Sequence, residues 1–130
     1  MYVLDTNTLI YFFKGMGKVA GNLLGKSPKE IGIPSIVLFE LEVGIAHSKA
    51  PRQRIKQLAE ITSVVNVLDF TAREARFAAA IRADLEKKGT PIGPFDILIG
   101  GTALAHQAIL VTHNTKEFGR IGKLQIEDWF

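Results

Sequence analysis

Residues 1–13 read MYVLDTNTLIYFF, an apolar run that holds one carboxylate, Asp5, close to its start. Two periodicities meet there. Tyr2, Val3 and Leu4 suit a short buried strand, and from Thr6 onward the apolar spacing becomes helical. A strand that runs directly into a helix is the opening unit of an α/β fold.

The alternation continues along the chain. Strands are expected at about 2–5, 31–34, 64–68, 109–112 and 124–127, and helices at 6–14, 17–25, 35–48, 52–62, 71–88 and 95–107, with a short turn at 115–119. In 71–88, Thr71 and Glu74 form a capping-box pair, Lys87 and Lys88 suit the negative end of the helix dipole, and Gly89 supplies the stop. No repeat, linker or low-complexity tract interrupts the pattern. The expectation is therefore one domain over residues 1–130, a three-layer α/β/α sandwich around a mainly parallel sheet of about five strands.

Composition bounds the setting. With 47% hydrophobic and 22% charged residues the chain is ordinary for a globular protein, not a disordered one. The absence of cysteine excludes disulfides and thiolate metal sites and suits a reducing cytoplasm. The apolar start has no basic leader, carries Asp5 early and reaches Lys14, so neither a secretory signal nor a membrane span is expected. A net charge of +3 permits a polyanionic partner without naming one.

In parallel sheets, ligands sit beyond the carboxyl ends of the strands, where strand order reverses. Asp5 ends the first strand and so stands on that rim. Aspartate at such a junction commonly caps the next helix, but Thr6 is able to cap it too, which frees Asp5 for other work. Most of the thirteen acidic residues lie among basic or turn residues. Glu40 does not: in SIVLFELEVGIA it occupies a helix so apolar that most faces should be buried, while Glu42 points about 200° away. Gly44, one turn beyond Glu40, leaves space where a ligand or a backbone could approach. Asp96 opens a second apolar helix in GTPIGPFDILIGGTALA; alone it would complement the helix dipole, but with Asp5 and Glu40 it makes a third carboxylate in an apolar setting. Asp69 precedes a helix already capped by Thr71 and reads as structural. In ILVTHNTKEF, Thr112 and Asn114 alternate onto one side of a strand end, and His113 faces the other way. His47, His106 and His113 have no metal-ligand spacing.

The segments VLDTNTLI, FELEVG, LEKKGTPIGPFDILIGGTAL and LVTHNTKEF, in this order through nearly the whole chain, resemble the successive motifs of PIN-domain ribonucleases, in the form found in VapC-type toxins of toxin–antitoxin pairs. That resemblance implies an acidic site of Asp5, Glu40 and Asp96 with Thr6, Thr112 and Asn114 around it. It also implies a homodimer silenced by a small VapB-type antitoxin. The apolar helices 35–48 and 71–88 point to self-association as well. The family often carries a further Asp near Asn114; here Asn114 or Glu117 stands in its place.

The chemistry of such a site follows from its donors. Clustered carboxylates raise one another's pKa unless a cation neutralises them, and hard oxygen ligands select Mg²⁺ or Mn²⁺. Asp5 and Asp96 are the expected direct ligands, with Glu40 binding the ion or orienting the attacking water. An activated water could then hydrolyse an RNA phosphodiester, with a second ion about 3.5–4 Å away on the leaving oxygen. Lys14 and Lys116 are candidate RNA phosphate contacts, with Lys18 and Arg120 beside them; Arg52, Arg54 and Lys56 read more naturally as a solvated helix face. Two other readings compete. LDTNT resembles a degraded haloacid-dehalogenase-type phosphatase motif with Asp5 as nucleophile, and a silent binding partner would keep the fold without the activity.

Overall fold

Five short strands pair only in parallel, in the order β3-β2-β1-β4-β5, in a computed structural model that describes residues 1–130. They are Tyr2–Leu4 (β1), Ile31–Pro34 (β2), Asn66–Leu68 (β3), Ile109–Val111 (β4) and Gln125–Glu127 (β5). Parallel neighbours need crossovers, and helices supply them: Thr6–Lys14 (α1), Val19–Leu24 (α2), Ser35–His47 (α3), Arg52–Thr62 (α4), Ala72–Lys87 (α5), Pro94–Ala105 (α6) and Thr115–Phe118 (α7). The chain walks outward from β1 to β3, returns to β4 and ends at β5. Right-handed crossovers then place α1–α4 on one face and α5–α7 on the other. This is the expected α/β/α sandwich, with element ends within two residues of the sequence reading and a short 3₁₀ turn at Pro28–Glu30 that the pattern did not suggest.

The core is the sheet and what lies on it. Val3, Leu4, Ile33, Leu110 and Val111 are fully buried, because a parallel sheet covered on both faces leaves no polar side. α5 and α6 form the closest helix pair, and glycine makes that approach possible: a Cβ on Gly101 would lie 2.8 Å from the Ala78 backbone nitrogen. The capping box of α5 forms as its sequence requires. Glu74 accepts the Thr71 amide at 2.9 Å and the Thr71 hydroxyl, and Arg73 Nε donates to it at 3.0 Å. α3 departs from expectation. Although apolar all round, it buries only Val37 and Leu41, and leaves Phe39 52% and Val43 40% exposed, with Phe39 covered only in part by the Phe95 ring of α6, 5.5 Å away between centres. No helix is long and apolar enough to cross a membrane.

Strand order reverses between β1 and β4, so the crevice at their carboxyl ends is the place a ligand would enter.

Gly101→Ala should cost roughly 1–3 kcal/mol, since its methyl meets backbone that cannot yield without separating α5 from α6. Urea denaturation measures it; an unchanged midpoint would show that the two helices slide apart freely.

Candidate functional site

Asp5 leaves β1 at this crevice. It is 5% exposed, its amide donates to the Val111 carbonyl at 3.2 Å, and its Oδ1 accepts the Thr8 amide at 2.9 Å. Asp5 itself, not Thr6, is therefore the N-cap of α1. Thr6 already lies inside the helix, and its hydroxyl reaches across to donate to Glu40 Oε1 at 2.6 Å. That bond ties α1 to α3 and fixes one oxygen of Glu40. Glu40 is half-buried and Glu42 exposed, as the helix geometry required.

Burial pushes the Asp5 carboxyl up from its ordinary value, against the pull of Thr112 and Thr8, and the charge of Asp128 adds to the rise. Asp96, in the first turn of α6, is pushed up to about 6, first by burial and then by the charges of Asp5, Glu40 and Glu117. A carboxylate serving only the helix dipole would move the other way. Asp96 thus lies in the field of three other carboxylates, and the candidates chosen from sequence are brought together by β1, α3 and α6. α7 adds the fourth: Glu117 Oε2 accepts a hydrogen bond from Asn114 Nδ2 at 3.2 Å. Thr112 is fully buried, and its hydroxyl accepts the Asn114 amide at 3.0 Å. Asn114 thereby holds Glu117 toward the rim, and the acid of this segment is three residues beyond the asparagine.

Two participants escaped the sequence. Thr8 is buried, donating its amide to Asp5 and its hydroxyl to the Val111 carbonyl at 3.1 Å; its place three residues after an N-cap was the available signal. Asp128 follows β5 and has no local signature, since only the strand order brings it beside β4. Desolvation opposes its ionisation, but the Phe130 amide and His113 Nδ1, 2.9 Å away, hold it below the usual carboxylate range. His113 thus turns to Asp128 and away from Thr112, as strand alternation predicted. Asp69 is exposed.

The basic candidates separate. Lys116 and Lys18 are exposed, and Arg120 is engaged with the Pro91 carbonyl at 3.0 Å. Arg52 and Lys56 lie on the solvated face of α4, whereas Arg54 folds against the Phe13 ring, 4.8 Å from its centre.

The donors around the crevice are all hard oxygens, which fits Mg²⁺ or Mn²⁺ and no softer ion. No three of them converge closely enough to enclose an ion. The arrangement therefore matches an ion held by one or two carboxylates and several waters, the habit of Mg²⁺.

The PIN domain family matches residues 2–124. The chain is 36% identical to the tRNA(fMet)-specific endonuclease VapC of Shigella flexneri over 98% of this chain and 97% of that protein. It is 40% identical to ribonuclease VapC2 of Rickettsia felis, over 99% and 98%. Among solved structures, VapBC2 of Rickettsia felis bound to a promoter DNA fragment contains a chain that superposes with a TM-score of 0.92 at 38% identity, covering 99% of this chain and 98% of that one. DNA-bound VapBC of Salmonella typhimurium gives 0.92 at 36%, with the same coverage.

A carboxyl raised on folding binds its proton more tightly in the native state, so the protein loses stability as pH rises from the ordinary value of 3.8 toward about 6. In EDTA, Asp96→Asn should match the parent at the acid end of that window and exceed it by about 1–2 kcal/mol above it, the shift being discounted for solvent screening. Denaturation midpoints across that range test this; parallel pH curves would place Asp96 outside the carboxylate field.

Proposed function

We propose that this chain, which belongs to the PIN-domain family, is a divalent-metal-dependent endoribonuclease acting in the cytoplasm as the toxin of a VapB–VapC-type pair. The observation that carries the reading is that Asp5, Glu40 and Glu117 all raise Asp96 by their charge at the crevice where strand order reverses between β1 and β4. Residues 1–130 then form one PIN domain, and the match over 2–124 supports that extent. The partner is a small VapB-type antitoxin, in keeping with the VapBC complexes whose toxin chains share this fold.

Asp5 and Asp96 would hold Mg²⁺ or Mn²⁺, which when bound supplies an activated water and charge neutralisation at the scissile phosphate. Each residue has its own share of the work. The Thr8 amide occupies Oδ1 of Asp5 and, with the Thr112 side chain, restrains the carboxylate that would hold the ion. Thr6 restrains Glu40 through Oε1, leaving its other oxygen to orient the attacking water or take up its proton. Asn114 keeps Glu117 in place, and Thr112 keeps Asn114. Asp96, raised toward neutrality, loses its proton at little cost once positive charge arrives.

The chain also self-associates in this reading. Phe39 and Val43 on α3 and Phe77 on α5 lie 40–52% exposed, more bare apolar surface than helices of a monomer should carry.

Asp5→Asn and Asp96→Asn should each remove Mn²⁺-dependent cleavage of a mixed RNA pool by more than the roughly 10–100-fold that loss of an outer partner costs, with circular dichroism unchanged. Cleavage surviving in both, or phosphate released from a small monoester by the parent, would displace the nuclease reading in favour of a phosphatase or a silent binding partner. Light scattering at micromolar concentration should report twice the chain mass, and Phe39→Glu should shift it toward one; a monomeric parent would leave the exposed helix faces to another partner.

A further inference from the structure

On the α1 side of Glu40 a cleft of about 260 Å³ opens between α1, α3 and α4. Its walls are Ile10, Lys14, Glu40, Gly44 and Arg54, with Leu41, Ile45 and Ser48 completing them. Glu40 belongs both to this cleft and to the carboxylate field of Asp96, so one side chain borders both.

Three features give the cleft a character of its own. Lys14 and Arg54 take part in none of the ion pairs of the protein, although Glu40 lines the same space. Arg54 has a buried Nη1 without any hydrogen-bond partner, which is costly for a guanidinium unless something else arrives to accept from it. Gly44 sits in the middle of α3, where glycine costs about 1 kcal/mol of helix propensity, and a Cβ there would meet nothing within 4 Å. Packing therefore does not require that glycine. What its absent side chain leaves is room, one helical turn from Glu40, beside two unpaired cations.

We propose that this cleft is a substrate subsite, in which Lys14 and Arg54 hold the RNA phosphodiester adjoining the one being cut and Gly44 makes room for its ribose. The proposal rests on the ribonuclease reading of the acidic crevice. Charge favours a phosphate: a strand whose scissile group enters an anionic centre is repelled there until a metal ion intervenes, and cations one step along the strand offset that repulsion. The Arg54 guanidinium, held over the Phe13 ring with Nη1 buried, offers its remaining donors to a phosphate, and Lys14 adds a point charge. The volume suits one such unit and not a longer stretch of strand. Arg52 and Lys56, on the same helix but facing solvent, have no part in it.

The test measures binding of a single-stranded 12-nucleotide RNA by fluorescence anisotropy, with Mg²⁺ and increasing monovalent salt, using the Asp96→Asn protein so that cleavage does not intervene. Adding Lys14→Gln and Arg54→Gln together should weaken binding about tenfold and flatten the salt slope by about 1.4, the loss of two single-strand phosphate contacts. Adding Arg52→Gln and Lys56→Gln should change affinity by less than about twofold. Arg54→Lys should keep the slope, and thermal melting confirms that each variant is folded. In the otherwise native enzyme Gly44→Leu should raise the melting temperature while raising KM with little effect on kcat.

Equal loss from the two glutamine pairs would reduce Lys14 and Arg54 to general surface charge and overturn the subsite. Unchanged KM in Gly44→Leu would overturn the role of the open space. Variants at Lys14 and Arg54 that bind RNA normally but no longer co-purify with the antitoxin would assign the cleft to a protein partner instead. If neither the Asp96→Asn protein nor the parent binds the RNA, the ribonuclease assignment falls and takes the subsite with it, whereas binding that ignores Lys14 and Arg54 overturns the subsite alone.

Discussion

A carboxylate that is 5% exposed at the end of the central strand is the constraint around which this structure is arranged. Desolvation alone would favour protonating Asp5 or expelling it from the crevice. The first turn of α1 opposes both by turning the Thr8 amide toward it, although burial still holds the carboxyl above its ordinary value. The cap and the site are therefore the same residue. Strand β1 sets where the charge stands, the cap sets how it is oriented, and its backbone bond to Val111 sets its distance from β4. Asp5 also raises Asp96 electrostatically, so its burial propagates to the other side of the crevice.

Glu74 shows why burial alone does not mark a functional acid. It is 2% exposed, more buried than Asp5, yet its pKa falls to about 2 because the Thr71 hydroxyl and amide, then Arg73, satisfy it against the cost of burial. Asp96 moves up to about 6, first because burial is not offset by any donor and then because its neighbours are other carboxylates. One environment makes the charged form comfortable and serves α5. The other keeps the charged form dear and leaves the cluster wanting a cation.

Much of this was legible because it is local. Strand ends, helix spans and the α5 capping box follow from periodicity and near-neighbour chemistry, and the carboxylates at 5, 40 and 96 stood out against apolar surroundings. The readings that needed correction involve competition between neighbours or tertiary contacts. Thr6 and Asp5 were both able to cap α1, and only the position of Glu40 across the crevice decided which did. α3 looked buried because its composition is apolar, whereas composition does not say which faces find another element. Arg54 was indistinguishable from Arg52 and Lys56 in sequence; a 100° helical step per residue, and a phenyl ring 41 residues earlier, separate them. Asp128 depends wholly on β5 pairing beside β4.

The distribution of charge joins these points. A net charge of +3 says little about a polyanionic partner, because the sum hides opposite signs in adjacent places. The crevice collects four carboxylates, and a nucleic acid should avoid it; the cleft next to it holds two cations that no acid of the chain neutralises. A protein selected only for stability would pair them, since Glu40 lines the space that Lys14 and Arg54 line. Instead one oxygen of Glu40 accepts from the Thr6 hydroxyl, and Glu40 adds its charge to the field around Asp96. That hydrogen bond keeps the two signs apart over a short distance, and a strand of phosphates with a metal ion among them is the kind of ligand that needs both.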